Sequence, residues 1–114
     1  FCYVDDLVDG IFKLSQVDYH QPINIGNPDE ISIKEFAEEI VKLTGTDQKI
    51  IYKDLPVDDP KQRRPDITKA REILGWEPQV SRAEGLKITY EYFKSLSEDE
   101  LYKKDHKTFE NYKK

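Results

Sequence analysis

The chain has 114 residues, a net charge of −5, and 36% charged against 37% hydrophobic residues, enough for one thinly cored domain or a part of a larger one. That acidic balance argues against wholesale nucleic-acid binding, and no apolar run approaches the length that spans a membrane. Cys2 is the single cysteine, which excludes an internal disulfide and a cysteine-based zinc site and fits a reducing, cytoplasmic setting.

The first residue is Phe1 and there is no methionine, so the chain is expected to be a piece of a longer polypeptide or a processed product. Phe1 to Val4 reads as the end of a buried strand. Tyr3 is either a core aromatic or a hydroxyl aimed into a cleft. Asp5 is expected to cap a helix running to about Gln16, with Leu7, Val8, Ile11, Phe12 and Leu14 inward. Gly10 inside that helix lowers its propensity by roughly 1 kcal/mol relative to alanine, which a close approach of another backbone would explain.

Residues 21–26, QPINIG, predict a short strand, and Gly26-Asn27-Pro28-Asp29 is turn chemistry. Ser32-Ile33-Lys34-Glu35 is a capping box. It opens a helix whose inward residues are Ile33, Phe36, Ala37, Ile40, Val41 and Leu43, and which Gly45 stops. Residues 48–53 predict a second short strand. Residues 54–65 carry too many charges and prolines for regular structure and read as a binding loop or lid.

The most informative stretch runs from Asp58 to Trp76, DDPKQRRPDITKAREILGW. Two acids and Pro60 are followed by Lys61, Arg63 and Arg64, then Pro65, Asp66 and a short helix that Gly75 ends. Paired guanidinium groups ahead of a helix start suit a diphosphate, since each forks onto phosphate oxygens and stays charged. A solvated basic loop before an amphipathic helix is the plainer alternative. Asp66 is placed to cap the helix, with Ala70, Ile73 and Leu74 inward and Trp76 as a core plug. Ser81-Arg82-Ala83-Glu84 and Ser97-Glu98-Asp99-Glu100 are two further capping boxes. The first launches a helix with Leu86, Ile88, Thr89, Tyr92, Phe93 and Leu96 inward. Beyond them the tail loses its periodicity, and His106 there carries no catalytic weight. The resulting fold class is α/β, with short strands and a helical C-terminal half.

Much chemistry is missing from the sequence. There is no Gly-rich dinucleotide fingerprint and no Walker A sequence. Tyr90 and Lys94 have a Tyr-x-x-x-Lys spacing but sit in mid-helix. His20 and His106 lie in no metal-ligand spacing, and neither is marked as part of a Ser-His-Asp set. No catalytic or metal-ligating residue is therefore assigned; the residues point to binding.

FCYVDDLVDGI, PINIGNPDEISIKEFAEEI, DDPKQRRPDITKAREILGWEP and EGLKITYEYF, in this order, resemble the C-terminal part of the extended short-chain dehydrogenase/reductase family over roughly residues 1–96. The pattern is nearest the branch that decarboxylates UDP-glucuronate to UDP-xylose, with same-family 4,6-dehydratases and 4-epimerases, or a non-catalytic binding module, as alternatives. The resemblance implies a Rossmann domain upstream that holds NAD and the catalytic Tyr-x-x-x-Lys, with residues 1–96 as the nucleotide-sugar-binding region and 97–114 as a charged tail. On it, Arg63 matches an arginine on the nucleotide diphosphate, Arg64 is a second candidate, Asp66 approaches the ribose or holds the loop, and Tyr3 walls the cleft. The intact enzyme is expected to form a homodimer, and this segment alone to be inactive.

Overall fold

A computed structural model describes residues 1–54 and 63–101, with Glu98 and Asp99 as backbone only. Among them five helices follow in order: α1 (Val4–Ser15), α2 (Ile33–Thr44), α3 (Thr68–Leu74), α4 (Arg82–Ser95) and the single turn α5 (Glu98–Leu101). Helix α1 packs on α3, and α2 on α4. The acids Asp58 and Asp59, Lys61, most of the 54–65 loop and the tail with His106 lie outside the described residues.

The helix boundaries follow local chemistry. Ser32 Oγ accepts the Glu35 N–H at 3.1 Å while Glu35 Oε2 accepts the Ser32 N–H at 3.1 Å, so the expected capping box of α2 forms. Gly45 ends α2 at φ 64°, and Gly75 ends α3 at φ 58°; both take the left-handed conformation that costs other residues a Cβ clash. Ser81 Oγ caps α4 by accepting the Glu84 N–H at 3.3 Å. At α5, Ser97 and Glu100 exchange the same pair of bonds.

The core is small and centred on Trp76, which is 1% exposed and surrounded by Ile67, Ala70 and Leu74. Its indole N–H donates to the Asp6 carbonyl at 2.9 Å, so the ring is fixed in orientation as well as depth. Leu14, Ile23, Ile25 and Ile73 pack around this centre.

Helix α1 departs from expectation in two ways. Tyr3, not Asp5, occupies its N-cap position, and no side chain caps it. Asp6 is instead buried and braces a distant segment, its Oδ2 accepting the Val80 N–H at 2.9 Å. The inward face also differs in part: Leu14 packs on the core as expected and Asp6 and Gly10 are buried, whereas Val8, Ile11 and Phe12 are 57%, 55% and 62% exposed. The cause is Trp76. A Cβ on Gly10 would stand 2.7 Å from Ile25 Cγ2 and 3.1 Å from the Trp76 ring, so only the bare glycine face can meet the core. The close approach at Gly10 is thus by side chains and not by another backbone.

The expected strands at 1–4, 21–26 and 48–53 are not present among the described residues. These segments are irregular, with no ladder between them. A strand's N–H and C=O groups are satisfied by a neighbouring strand, and none lies beside these. The α/β character read from the sequence is therefore not displayed by the described residues, which are helical and irregular.

Candidate functional site

The segment 63–67 reaches its place through contacts with the 24–29 strip. The Asn24 side-chain amide donates to the Asp66 carbonyl at 3.2 Å. Gly26 is buried against Pro65; a Cβ there would stand 3.1 Å from the Pro65 ring. Asn27 Oδ1 accepts the Asp29 N–H at 2.8 Å and tightens the turn. Below the segment, Ile67 is 3% exposed and anchors it in the core.

Asp66 behaves as the expected cap, one residue ahead of the formal N-cap position. Its Oδ1 accepts from the Thr68 N–H at 2.9 Å and from the Thr68 hydroxyl at 2.7 Å. Those bonds to the charged form, the hydroxyl first, pull its pKa below the ordinary aspartate value.

Arg64 is exposed and lines two adjoining cavities, a groove of about 590 Å³ and a smaller one of about 370 Å³, which also share Pro28 and Arg71. Arg71 is turned to Glu77, with Nε 3.3 Å from Oε2. Arg82, on the wall of the larger groove, forks onto Glu39 with Nε–Oε2 3.0 Å and Nη2–Oε1 3.2 Å, and gives Nη1 to Asp29. The Glu39 hydrogen bond and then the two acid charges raise the Arg82 pKa further above its ordinary value. Arg64 has no hydrogen bond or ion pair among the described residues, so its guanidinium is available to an anion without displacing a partner.

Arg63 is exposed, is engaged in an interaction of its own, and lines neither of these two cavities. Tyr3 is half-buried with its ring on Gly85 of α4, where a Cβ would approach it to 3.2 Å, and it too lines neither cavity. The structure thus brings Arg64 and Asp66 together around the smaller cavity and leaves Tyr3 apart from them. Arg71, Arg82, Asp29 and Glu39 were not marked by sequence patterning. Arg82 follows a serine cap and reads as an ordinary first-turn residue; only the tertiary fold shows its partners.

Among the described residues no three His, Cys, Asp or Glu side chains are grouped as a metal site. Burial, and secondarily the Asp6 charge, push the Cys2 thiol up, so it stays protonated near neutral pH. His20 stands in solvent, 3.5 Å from Asp18. No helix among the described residues is long and apolar enough to cross a membrane.

No protein-family profile matches the chain. Individual relatives do. UDP-glucuronic acid decarboxylase 5 of Arabidopsis thaliana is 49% identical over 94 residues, covering 82% of this chain and 28% of that protein. UDP-glucuronic acid decarboxylase 1 of Xenopus tropicalis is 46% identical over 94 residues, 82% of this chain and 22% of its own length. Two solved structures share the fold. UDP-glucose 4-epimerase of Thermotoga maritima, with UDP-glucose, aligns at a TM-score of 0.76 and 36% identity over 82% of this chain and 30% of its own. UDP-glucuronic acid 4-epimerase of Bacillus cereus, in complex with UDP-glucuronic acid and NAD, aligns at 0.74 and 33% over 85% and 32%. The chain spans less than a third of the length of each of these proteins and 32% of the last. Sequence and fold agree: over most of its length the chain is similar to part of the UDP-glucuronic acid decarboxylases and to part of the NAD-dependent UDP-sugar 4-epimerases, as the resemblance to the extended short-chain dehydrogenase/reductase family implies.

Proposed function

We propose that residues 1–96 are the nucleotide-sugar-holding region of an NAD-dependent UDP-glucuronate decarboxylase, which converts UDP-glucuronate to UDP-xylose and CO2. The observation that carries this reading is the 49% identity to a UDP-glucuronic acid decarboxylase across 82% of the chain. Arg63 takes the nucleotide diphosphate, Arg64 adds a second cation at the groove mouth, Asp66 holds the segment rigid through Thr68, and Tyr3 forms part of the cleft wall. Such a site needs permanent charge in a planar fork, which arginine supplies and lysine does not.

The sequence contains no Gly-rich dinucleotide fingerprint. NAD binding and the redox chemistry it supplies are therefore assigned to a further portion of the enzyme, and this chain orients the substrate. The exposed stripe Val8, Ile11 and Phe12 on α1 supports such a portion lying against it, since a contiguous apolar face is costly in water. Epimerisation at C4 of a UDP-sugar is the second reading, favoured by the fold match to two UDP-sugar 4-epimerases. We rank it second because the identity to those epimerases is lower, 36% and 33%.

Calorimetric titration of UDP into the chain and its variants tests the binding role. Arg63→Ala is expected to lower affinity about ten- to a hundredfold, the range for a charged hydrogen bond, and Arg64→Ala by less. Unaltered affinity in both variants would remove the 63–64 pair from the site.

A further inference from the structure

We propose that Arg82 is a positioning residue: clamping Asp29 with one arm of its guanidinium and Glu39 with the others, it fixes the 26–29 turn and, through that turn, the arginine-bearing segment 63–66. The proposal rests on the nucleotide-sugar reading for its ligand, though not for its geometry.

The side chain is only 20% exposed and uses all three nitrogens. Nε and Nη2 meet the two oxygens of Glu39 in a parallel fork, so the group is held flat against α2. Nη1 is then left pointing at Asp29 in the turn before α2. One side chain at the start of α4 thereby joins α4, α2 and the turn.

From Asp29 the connection continues by direct contacts. Asn27 holds the Asp29 amide, Gly26 lies on Pro65, and the Asn24 amide holds the Asp66 carbonyl. Pro28 borders both cavities together with Arg64. Two of the contacts between the 24–29 strip and segment 63–66, the Asn24 bond and the Gly26–Pro65 contact, lie directly beyond the Asp29 arm, so loss of that arm is felt at both. A lysine at position 82 retains the charge but cannot span both carboxylates in a fixed plane.

An ordinary surface tie would affect stability slightly and the site not at all, since exposed ion pairs contribute little. Two variants separate the cases. Asp29→Asn removes only the arm to the turn, and Arg82→Lys removes the fork. For each, the side-chain amide signals of Asn24 and the backbone amide of Thr68 are read by ¹H–¹⁵N NMR without ligand, UDP affinity is read by calorimetry, and thermal melting serves as the control. The clamp predicts moved Asn24 and Thr68 signals, affinity lowered about five- to tenfold, and a nearly unchanged melting midpoint. Unmoved amide signals overturn it. So does wild-type UDP affinity in both variants of a chain that binds UDP. If the unsubstituted chain does not bind UDP while the amide signals move as expected, the clamp stands and the nucleotide-sugar reading falls.

Discussion

Two residues of α1 and one far along the chain determine how α1 sits. Trp76 fills the centre of the core, Gly10 leaves room for its ring, and Asp6 ties both its carbonyl and its carboxylate to the 76–80 segment. Gly10→Ala tests this directly. Helix propensity alone favours alanine by about 1 kcal/mol, whereas overpacking a core costs about 1–3 kcal/mol. The added methyl would meet Ile25 at 2.7 Å and the indole at 3.1 Å, and both are held by neighbours, so the penalty should win. A lowered urea midpoint is expected; a raised one would show that α1 does not approach Trp76 this closely. The sequence marks Gly10 as unusual but does not say what approaches it, because that partner lies 66 positions away by the numbering of Trp76 and Gly10.

At the scale of elements, the helices were legible where their signals are local. Ser32 with Glu35, Gly45, Gly75 and Ser81 mark starts and stops within a few residues, and the structure uses each of them. Which face of a helix turns inward is not a local property. The apolar stripe of α1 was visible in the sequence, yet the face that packs is the one carrying Asp6 and Gly10. Strands were legible only as composition, since a strand exists through its partner. Around the candidate site, the Asp66 cap was readable from its setting ahead of a helix, but the Arg82 fork was not, because its two acids come from other elements. The capping boxes also make a prediction about pH. Hydrogen bonds from Ser32 hold Glu35 below its ordinary value, and those from Ser97 do the same to Glu100. Each carboxylate is thus harder to protonate folded than unfolded. Its contribution is fully present above the ordinary glutamate range and is lost as pH falls through the lowered folded value. Glu35→Gln should therefore flatten part of the loss of stability between neutral pH and about pH 3, read from urea midpoints across that range. An acid dependence as steep as that of the unsubstituted chain would show that the Glu35 charge does not hold the start of α2.

For the molecule as a whole, the core is small, α1 carries an exposed apolar stripe, and Arg64 lies at a groove with no ion pair among the described residues. The relatives are more than three times the length that this chain spans in them. The claim at the centre of this account is that the segment 63–67, held by the 24–29 strip, receives the diphosphate of a nucleotide sugar. Following the backbone amide signals of the ¹⁵N-labelled chain as UDP is added tests it most directly. The account predicts saturable shifts gathered on residues 63–68 and 26–30, absent when uridine without phosphates replaces UDP. Shifts that gather instead on α1, or that uridine reproduces in full, would contradict it.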